Sequence, residues 1–493
     1  MPEPLKQKTI KGVAWSAIDN IAGYAVTFVV GIILARLLSP EDYGLLGLTG
    51  IFIAICKCFI NSGFGSALIR KKDATEDDYN TVFIFNLATS ILLYGIMFVC
   101  APLIADFFNR HELVALTRVS TIGLIIGSLS FVQRTRLTKR IDFKTQTKIT
   151  IISATVRGIV GITLAFSGYG VWALVYQELV GSAVNALLLI FFNKWFPRLR
   201  FSITSFRELF NYSYKLLVSE LLDTIWKEIY QVVIGKCYAP ATLGQYTRAT
   251  MFSGMLSSNL TGVVQRVSFP VLSQIQEDPD RLKDGYRRII KTTMLITFCV
   301  TLMLAAIAKP MVLVLIGEKW LQAATFLQIV CFSSMLYPLH AINLNILQVK
   351  GRSDLFLKLE VFKKIIAVGP LLMGIFISIY WMLIGSVLSS FIAYYLNAYY
   401  SGPLLGYSIR AQIKDITPSF IIGFAGSAIA FLPVLLYDIL GDGTSWPFAA
   451  FFILPLQVIL GFGVILILCE HTRPSEYVEV KGITRNAVQR IRL

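Results

Sequence analysis

Long apolar runs separated by short polar stretches set the pattern of this chain. Runs at 21–34, 82–107, 294–308, 371–396, 420–436 and 448–468 hold few or no charges. A helix of roughly 20 apolar residues spans the ~30 Å hydrocarbon core of a bilayer. Weaker spans carrying isolated charges lie at 44–64, 113–133, 149–166, 171–192, 209–235, 247–272, 320–347 and 356–369. Together they predict about fourteen membrane-crossing helices in an all-α polytopic protein. At roughly 35 residues per helix and loop, no room is left for a sizeable soluble domain. A β-barrel is excluded, because the segments do not alternate with period two. The start resembles a signal peptide in its Lys6, Lys8 and Lys11. Its apolar run is too long, however, and lacks a small-residue cleavage pattern, so it is expected to stay as the first helix.

Composition agrees with that class. Of 493 residues, 55% are hydrophobic and 15% charged, against about 25% charged in ordinary soluble domains. Disordered chains are poor in apolar residues, which excludes disorder. The net charge of +16 does not make a nucleic-acid binder. Such proteins gather Lys and Arg on a polar surface, whereas here they fall between apolar runs. Thirty of the 45 Lys and Arg lie in alternate loops and the tail, including Arg70–Lys72, Arg134–Lys144, Lys194–Arg207, Arg281–Lys291 and Arg473–Arg492. Opposite loops hold few, such as Arg110, Lys309 and Lys319. Cytoplasmic loops carry the excess of positive charge, so the bias predicts an even number of helices with both termini cytoplasmic.

The chain also repeats itself at a spacing near 200. Arg36, Pro40, Gly44 and Phe52 meet Lys236, Pro240, Gly244 and Phe252. Further on, Pro102 meets Pro310, Trp172 meets Trp381, and Lys139–Arg140 meets Lys350–Arg352. Six helices repeated in parallel give two lobes related by an axis along the membrane normal, a pattern of transporters. The expected organisation is a first lobe at 1–200, a second at 201–405, two appended helices at 406–470 and a basic cytoplasmic tail at 471–493. The tail spaces Ile483, Ala487 and Ile491 by four, as a helix lying on the anionic inner leaflet would, though a disordered tail fits as well.

Cysteine adds little. The seven are scattered, and Cys56 and Cys58 are two apart, too close to share a helix face. No disulfide framework, cofactor or bound metal is expected. No phosphate-binding Gly-rich loop ending in Lys-Ser/Thr is present, so ATP does not drive the protein directly.

Charges inside the spans are functional-site hypotheses by default, since each costs about 2.5–3.5 kcal/mol at a helix centre. The first helix carries Trp15, Asp19 and Tyr24, and the second carries Lys57. The fourth, fifth, sixth and eighth carry Arg118, Arg157, Glu178 and Arg248. The seventh places Lys215, Ser219, Asp223 and Lys227 four apart, with Glu220 three before Asp223. These share one face, which predicts a helix lining a wet cavity. Bland readings stand beside these. Asp223–Lys227 fits an internal ion pair, and Arg118 has room to snorkel outward. Arg134, Arg136, Lys148 and Arg266 fit snorkelling to the inner interface. His340, near Asn343 and Asn345 in mid-helix, fits a buried polar contact.

The stretches LKQKTIKGVAWSAIDN, ARLLSPEDYGLLGL, NSGFGSALIRK and GYGVWALVYQ resemble the polysaccharide-transport branch of the multidrug/oligosaccharidyl-lipid/polysaccharide flippase superfamily, of the colanic- and teichuronic-acid exporter kind. The resemblance covers nearly the whole chain. It implies a V-shaped, two-lobed flippase of fourteen helices in the bacterial plasma membrane. Its cargo would be a polyprenyl-pyrophosphate-linked oligosaccharide. Membrane lipids would surround it, a polysaccharide polymerase and glycosyltransferases would be its neighbours, and no nucleic acid is involved. Arg matches phosphate bidentately and Lys acts as a point charge. Lys57, Arg118, Arg157, Lys215, Lys227 and Arg248 are then candidates for the pyrophosphate, and Trp15 and Tyr24 for sugar rings. Asp19, Glu178, Glu220 and Asp223 are candidates for a coupling ion or for ion pairs. Two rivals remain, one from the same superfamily and one from a different class. A cation-coupled drug antiporter of the same superfamily would want acids to dominate the cavity. A membrane-embedded polymerase or ligase would want acid/base residues on a large outer loop, and the expected outer loops are short. A scaffold in an envelope-synthesis complex is a third reading.

Overall fold

The computed structural model describes residues 23–61, 63–440 and 446–482. Those residues form helices, with no strand among them. In chain order they are α1 (Gly23–Leu37), α2 (Pro40–Asn61), α3 (Phe64–Arg70), α4 (Glu76–Phe108), α5 (Glu112–Ser120), α6 (Ile122–Lys139), α7 (Phe143–Phe166), α8 (Val171–Asn193) and α9 (Ile203–Cys237). Then follow α10 (Pro240–Gln274), α11 (Pro279–Leu315), α12 (Leu321–Ser334), α13 (Tyr337–Val349), α14 (Ser353–Phe376), α15 (Ile379–Ser401), α16 (Ile409–Leu440), α17 (Trp446–Thr472) and a short α18 at 475–482. Among the described residues, ten stretches are long and apolar enough to cross a membrane, and the chain is a multi-pass membrane protein. Helices α9, α10 and α14 have the length, at 35, 35 and 24 residues, but are more polar.

Local chemistry sets where these helices begin. Thr75 and Asp78 form a reciprocal capping box on α4, which satisfies two orphan backbone donors. Asp142, Ser202, Asp278 and Ser378 each accept a backbone N–H at the starts of α7, α9, α11 and α15. Pro279 occupies the first turn of α11, where its missing N–H costs nothing.

The sequence repeat is visible as a repeated order of elements. Helix α1 ends at Leu37 and α9 at Cys237, and after two residues Pro40 and Pro240 open α2 and α10. Both α4 and α11 carry an internal proline, Pro102 and Pro310. In both copies the next span is broken in two, as α5–α6 and as α12–α13. A helical hairpin closes each copy, α7–α8 and α14–α15. The two proline turns also meet. A Cβ on Gly44 would fall 1.8 Å from the Pro240 carbonyl oxygen, and one on Gly244 would fall 1.9 Å from that of Pro40. Only glycine permits such backbone approach.

Packing divides the chain into compact units Met1–Gly244 and Gln245–Leu493. The repeat assigns α9 to the second half, but α9 packs against α2, α3 and α4 and so groups with the first. The core of unit one holds Phe64, Leu68, Val82, Phe83, Val132 and Leu209. In unit two the centre is α11, flanked by α12, α16 and α17. Its residues Tyr286, Ile290, Met294, Phe298 and Leu302 are buried. The appended helices come close because small residues face the contact. Gly423 abuts the Phe298 backbone and Gly461 abuts Met303, the packing expected where no hydrophobic force separates helix from lipid.

Candidate functional site

Four helices of unit one enclose a cavity of about 520 Å³, lined by residues of α1, α6, α7 and α8. Its polar lining follows from helical spacing. Helix α6 supplies Gly127, Ser130 and Arg134, α7 supplies Thr150, Ser153 and Arg157, and α8 supplies Glu178, Ser182 and Asn185. Each set steps by three and four, so each falls on one face. Tyr24 and Thr27 of α1 complete the wall.

Arg157 stands some 21 Å along α7 from its first residue, taking 1.5 Å per residue. It is half-buried and held on two sides. Its Nη1 donates to Glu178 Oε1 at 3.1 Å, and its Nη2 donates to Thr27 Oγ1 at 3.0 Å. Gly181 lets the aliphatic stem cross α8, since a Cβ there would lie 2.9 Å from the Arg157 Cβ and Cδ. Below it, Ser153 Oγ donates to the Ile149 carbonyl at 2.6 Å and accepts from Asn185 Nδ2 at 3.4 Å. Arg134 is exposed to the cavity and makes no ion pair among the described residues. The cavity therefore offers one tethered guanidinium, one free guanidinium, hydroxyl and amide groups, and a tyrosine ring. Such a set suits an anion with several oxygens.

Of the sequence candidates, the structure brings Tyr24, Arg157 and Glu178 together here. Lys57 is exposed on α2. Its neighbour Cys58 lies 3.1 Å from Thr224 Oγ1, which sets that part of α2 against α9. On α9, Lys215, Glu220, Asp223 and Lys227 are all exposed and lie outside this cavity. Arg118 is also outside it. Its guanidinium covers the Phe98 ring at 4.2 Å, and its Nε donates to the Phe98 carbonyl at 3.3 Å. Arg248 belongs to unit two, buried over the Trp320 ring at 5.6 Å. Trp15 and Asp19 lie outside the described residues.

Two arginines read as snorkelling residues behave differently in the fold. Arg134 lines the cavity. Arg136 is 8% exposed, bonded to Glu76 at 2.8 Å and stacked between Tyr79 and Trp195 at 4.6 and 5.0 Å. Trp195 Nε1 also donates to Glu76, at 2.6 Å. Arg136 thus clamps the ends of α4, α6 and α8 together. Ser130, Ser182 and Asn185 were missed by reading charges alone. The three-and-four spacing of small polar residues on each helix was the signal that could have found them. His340 sits in a polar knot of unit two, its Nε2 3.1 Å from Ser390 Oγ and its Nδ1 3.3 Å from Asn397 Nδ2.

Comparison with known proteins supplies the context for this cavity. The chain matches the family described as Polysaccharide biosynthesis protein over residues 33–325. It is similar to the teichuronic acid biosynthesis protein TuaB of Bacillus subtilis, 26% identical over 357 residues, covering 72% of this chain and 74% of that one. It is similar to the lipopolysaccharide biosynthesis protein WzxC of Escherichia coli, 23% identical over 439 residues, covering 87% and 88%. Among solved structures it is similar to the lipid II flippase MurJ in an inward closed conformation. The TM-score is 0.74 at 13% identity, over 93% of this chain and 98% of that one. An inward-facing multidrug resistance transporter of the MATE family has a TM-score of 0.60 at 17% identity, over 80% and 98%. At those identities the two structures establish the fold and nothing finer.

Proposed function

The chain belongs to the polysaccharide biosynthesis protein family, and from that premise we propose that it is a flippase for a lipid-linked oligosaccharide. The cargo is a polyprenyl-pyrophosphate-linked repeat unit of a cell-surface polysaccharide. It moves from the inner to the outer leaflet of the bacterial plasma membrane, and both termini of the chain face the cytoplasm. Helices α9, α10 and α14 cross the membrane with the ten more apolar stretches and the first helix, giving fourteen. The two six-helix repeats alternate access, with the polyprenyl tail left in lipid. The product passes to a polysaccharide polymerase, and glycosyltransferases supply the substrate.

The observation that carries this reading is the pair Arg134 and Arg157 in one polar cavity between α1, α6, α7 and α8. Among the described residues one acid, Glu178, lines that cavity beside the two arginines, so their summed formal charge is positive. A pyrophosphate finds there a free guanidinium and a second that exchanges Glu178 for phosphate oxygens. Serine, asparagine and Tyr24 groups lie beside them for the first sugar. Transport of a preformed molecule needs positioned charges and a change of shape, and it makes no demand for a catalytic dyad.

Complementation of a strain lacking the chromosomal copy tests the proposal. Arg134→Gln with Arg157→Gln is expected to abolish surface polysaccharide and accumulate the lipid-linked intermediate, with normal membrane abundance. Full export by the double variant would sink the reading. Cationic-drug accumulation with unchanged polysaccharide would favour the antiporter instead.

A further inference from the structure

A second built cavity lies in unit two, remote in sequence from the first. It measures about 850 Å³ and is bounded by Lys283 and Arg287 of α11, Ala398 and Tyr399 of α15, the turn through Gly402, Pro403, Gly406 and Tyr407, and Lys414 and Asp415 of α16. The turn is fixed by Gly406, whose φ of 58° is open to glycine and strained for most other residues.

Charge in this cavity is unbalanced. Asp415 is spoken for: Arg287 Nε and Nη2 reach its two oxygens at 2.5 and 2.7 Å, and Tyr407 Oη donates to it at 2.6 Å. That pairing neutralises one guanidinium. Lys283 and Lys414 make no hydrogen bond or ion pair among the described residues, so two positive charges face the cavity without a counter-ion. The remaining wall is apolar or aromatic. One rim residue, Tyr399, is 55% exposed and stacks on Tyr395 at 6.2 Å. From there Tyr395, Ile392, Phe391, Leu388 and Ile384 continue along α15 as an exposed apolar stripe, stepping by three and four as one helix face does.

We propose that this cavity binds the headgroup of an anionic phospholipid. Its phosphate lies between Lys283 and Lys414, the unused edge of Arg287 adds a donor, and its acyl chains follow the α15 stripe. A lipid is favoured over a soluble phosphate because the cationic cavity and the apolar stripe are continuous through Tyr399. Basic pockets beside membrane helices collect anionic headgroups in this way. The site shares no residue with the arginine cavity and holds whether or not that cavity carries a pyrophosphate.

Native mass spectrometry of the full-length chain, titrated with phosphatidylglycerol, phosphatidylcholine and inorganic phosphate, tests the proposal. Phosphatidylglycerol is expected to bind tighter than phosphatidylcholine. Each lysine near an anionic lipid contributes about fivefold, so Lys283→Gln with Lys414→Gln should weaken phosphatidylglycerol by about 25-fold. If the double variant does not fold, Lys414→Gln alone should show the single step, because that side chain is exposed and pairs with nothing described. Inorganic phosphate at millimolar concentration should not displace the lipid. Equal binding of the two lipids, an unaffected lysine variant, or displacement by phosphate would each overturn the assignment.

Discussion

At Gly44 and Gly244 a single hydrogen stands where every other residue has a carbon. Ala at either position would drive a Cβ into a backbone carbonyl within 2 Å, and neither chain can give way alone. Gly44→Ala and Gly244→Ala are therefore expected to cost at least the ~1–3 kcal/mol of ordinary overpacking, read as a lower unfolding midpoint in detergent. Gly95→Ala on α4, with nothing within 4 Å of the added carbon, should hold or raise the midpoint, since alanine is the better helix former by about 1 kcal/mol. Arg157 makes a second residue-scale prediction. Lys keeps the charge but cannot bridge Thr27 and Glu178 together, so Arg157→Lys should export less than wild type and more than Arg157→Gln in the same complementation assay. The sequence named Arg157 and Glu178 separately and could not pair them. A polar residue in an apolar span announces that it needs company, and the neighbouring helix decides which company. Arg118, with the same signal, found Phe98 instead.

Among the elements, α18 shows how a short helix is fastened. Glu476 is 2% exposed, bonded to Lys291 at 2.9 Å and to Ser419 Oγ at 3.0 Å, while Glu479 pairs with Arg288 at 2.7 Å. Burial works against the Glu476 carboxylate, but its backbone bond, Lys291 and Ser475 outweigh it and hold its pKa below the ordinary value. A depressed carboxylate stabilises the docked helix above its unfolded pKa of about 4.3, and the stabilisation is lost as pH falls through the folded value. Amide protection of 475–482 should then be flat from pH 8 to pH 5 and fall below about pH 4. Glu476→Gln should show low protection throughout, by roughly 1–3 kcal/mol for a lost charged hydrogen bond. Constant protection at pH 3 in the native chain would contradict this. The sequence placed the tail's amphipathic spacing at Ile483, Ala487 and Ile491, outside the described residues. It gave no hint of Glu476, because a carboxylate two residues after a Pro reads as solvent-exposed until α11 and α16 arrive. The breaks at Ser120–Ile122 and Ser334–Tyr337 were equally silent, since both halves of each span are apolar.

For the whole molecule, the cysteines offer a reading of orientation. Of the seven, Cys237 at the end of α9 is exposed, and the other six are buried or half-buried. In the proposed orientation, which rests on the charge bias, α9 starts inside and ends outside. A membrane-impermeant maleimide is expected to label spheroplasts at Cys237, with Cys237→Ser removing the signal. Labelling that requires lysis would reverse the proposed orientation. Fold class was legible at this scale because apolar length is a property of the chain alone. The repeat was legible because its proline turns sit 200 residues apart in both copies. The boundary between compact units was not. It depends on where α9 packs, and α9 carries charge along the face that sequence reading assigns to water.

The reciprocal contact of the two turns also has a consequence in time. Pro40 leaves the ribosome about 200 residues before Pro240. At 5–20 residues per second the interval is about 10–40 s. Through that interval the Gly44 surface has no mate, and the first unit closes only when the second turn is inserted beside it. A chain ending after α8 lacks the Pro240 turn whose carbonyl abuts Gly44 in the fold. The two copies are synthesised in order, but the first is finished by the second.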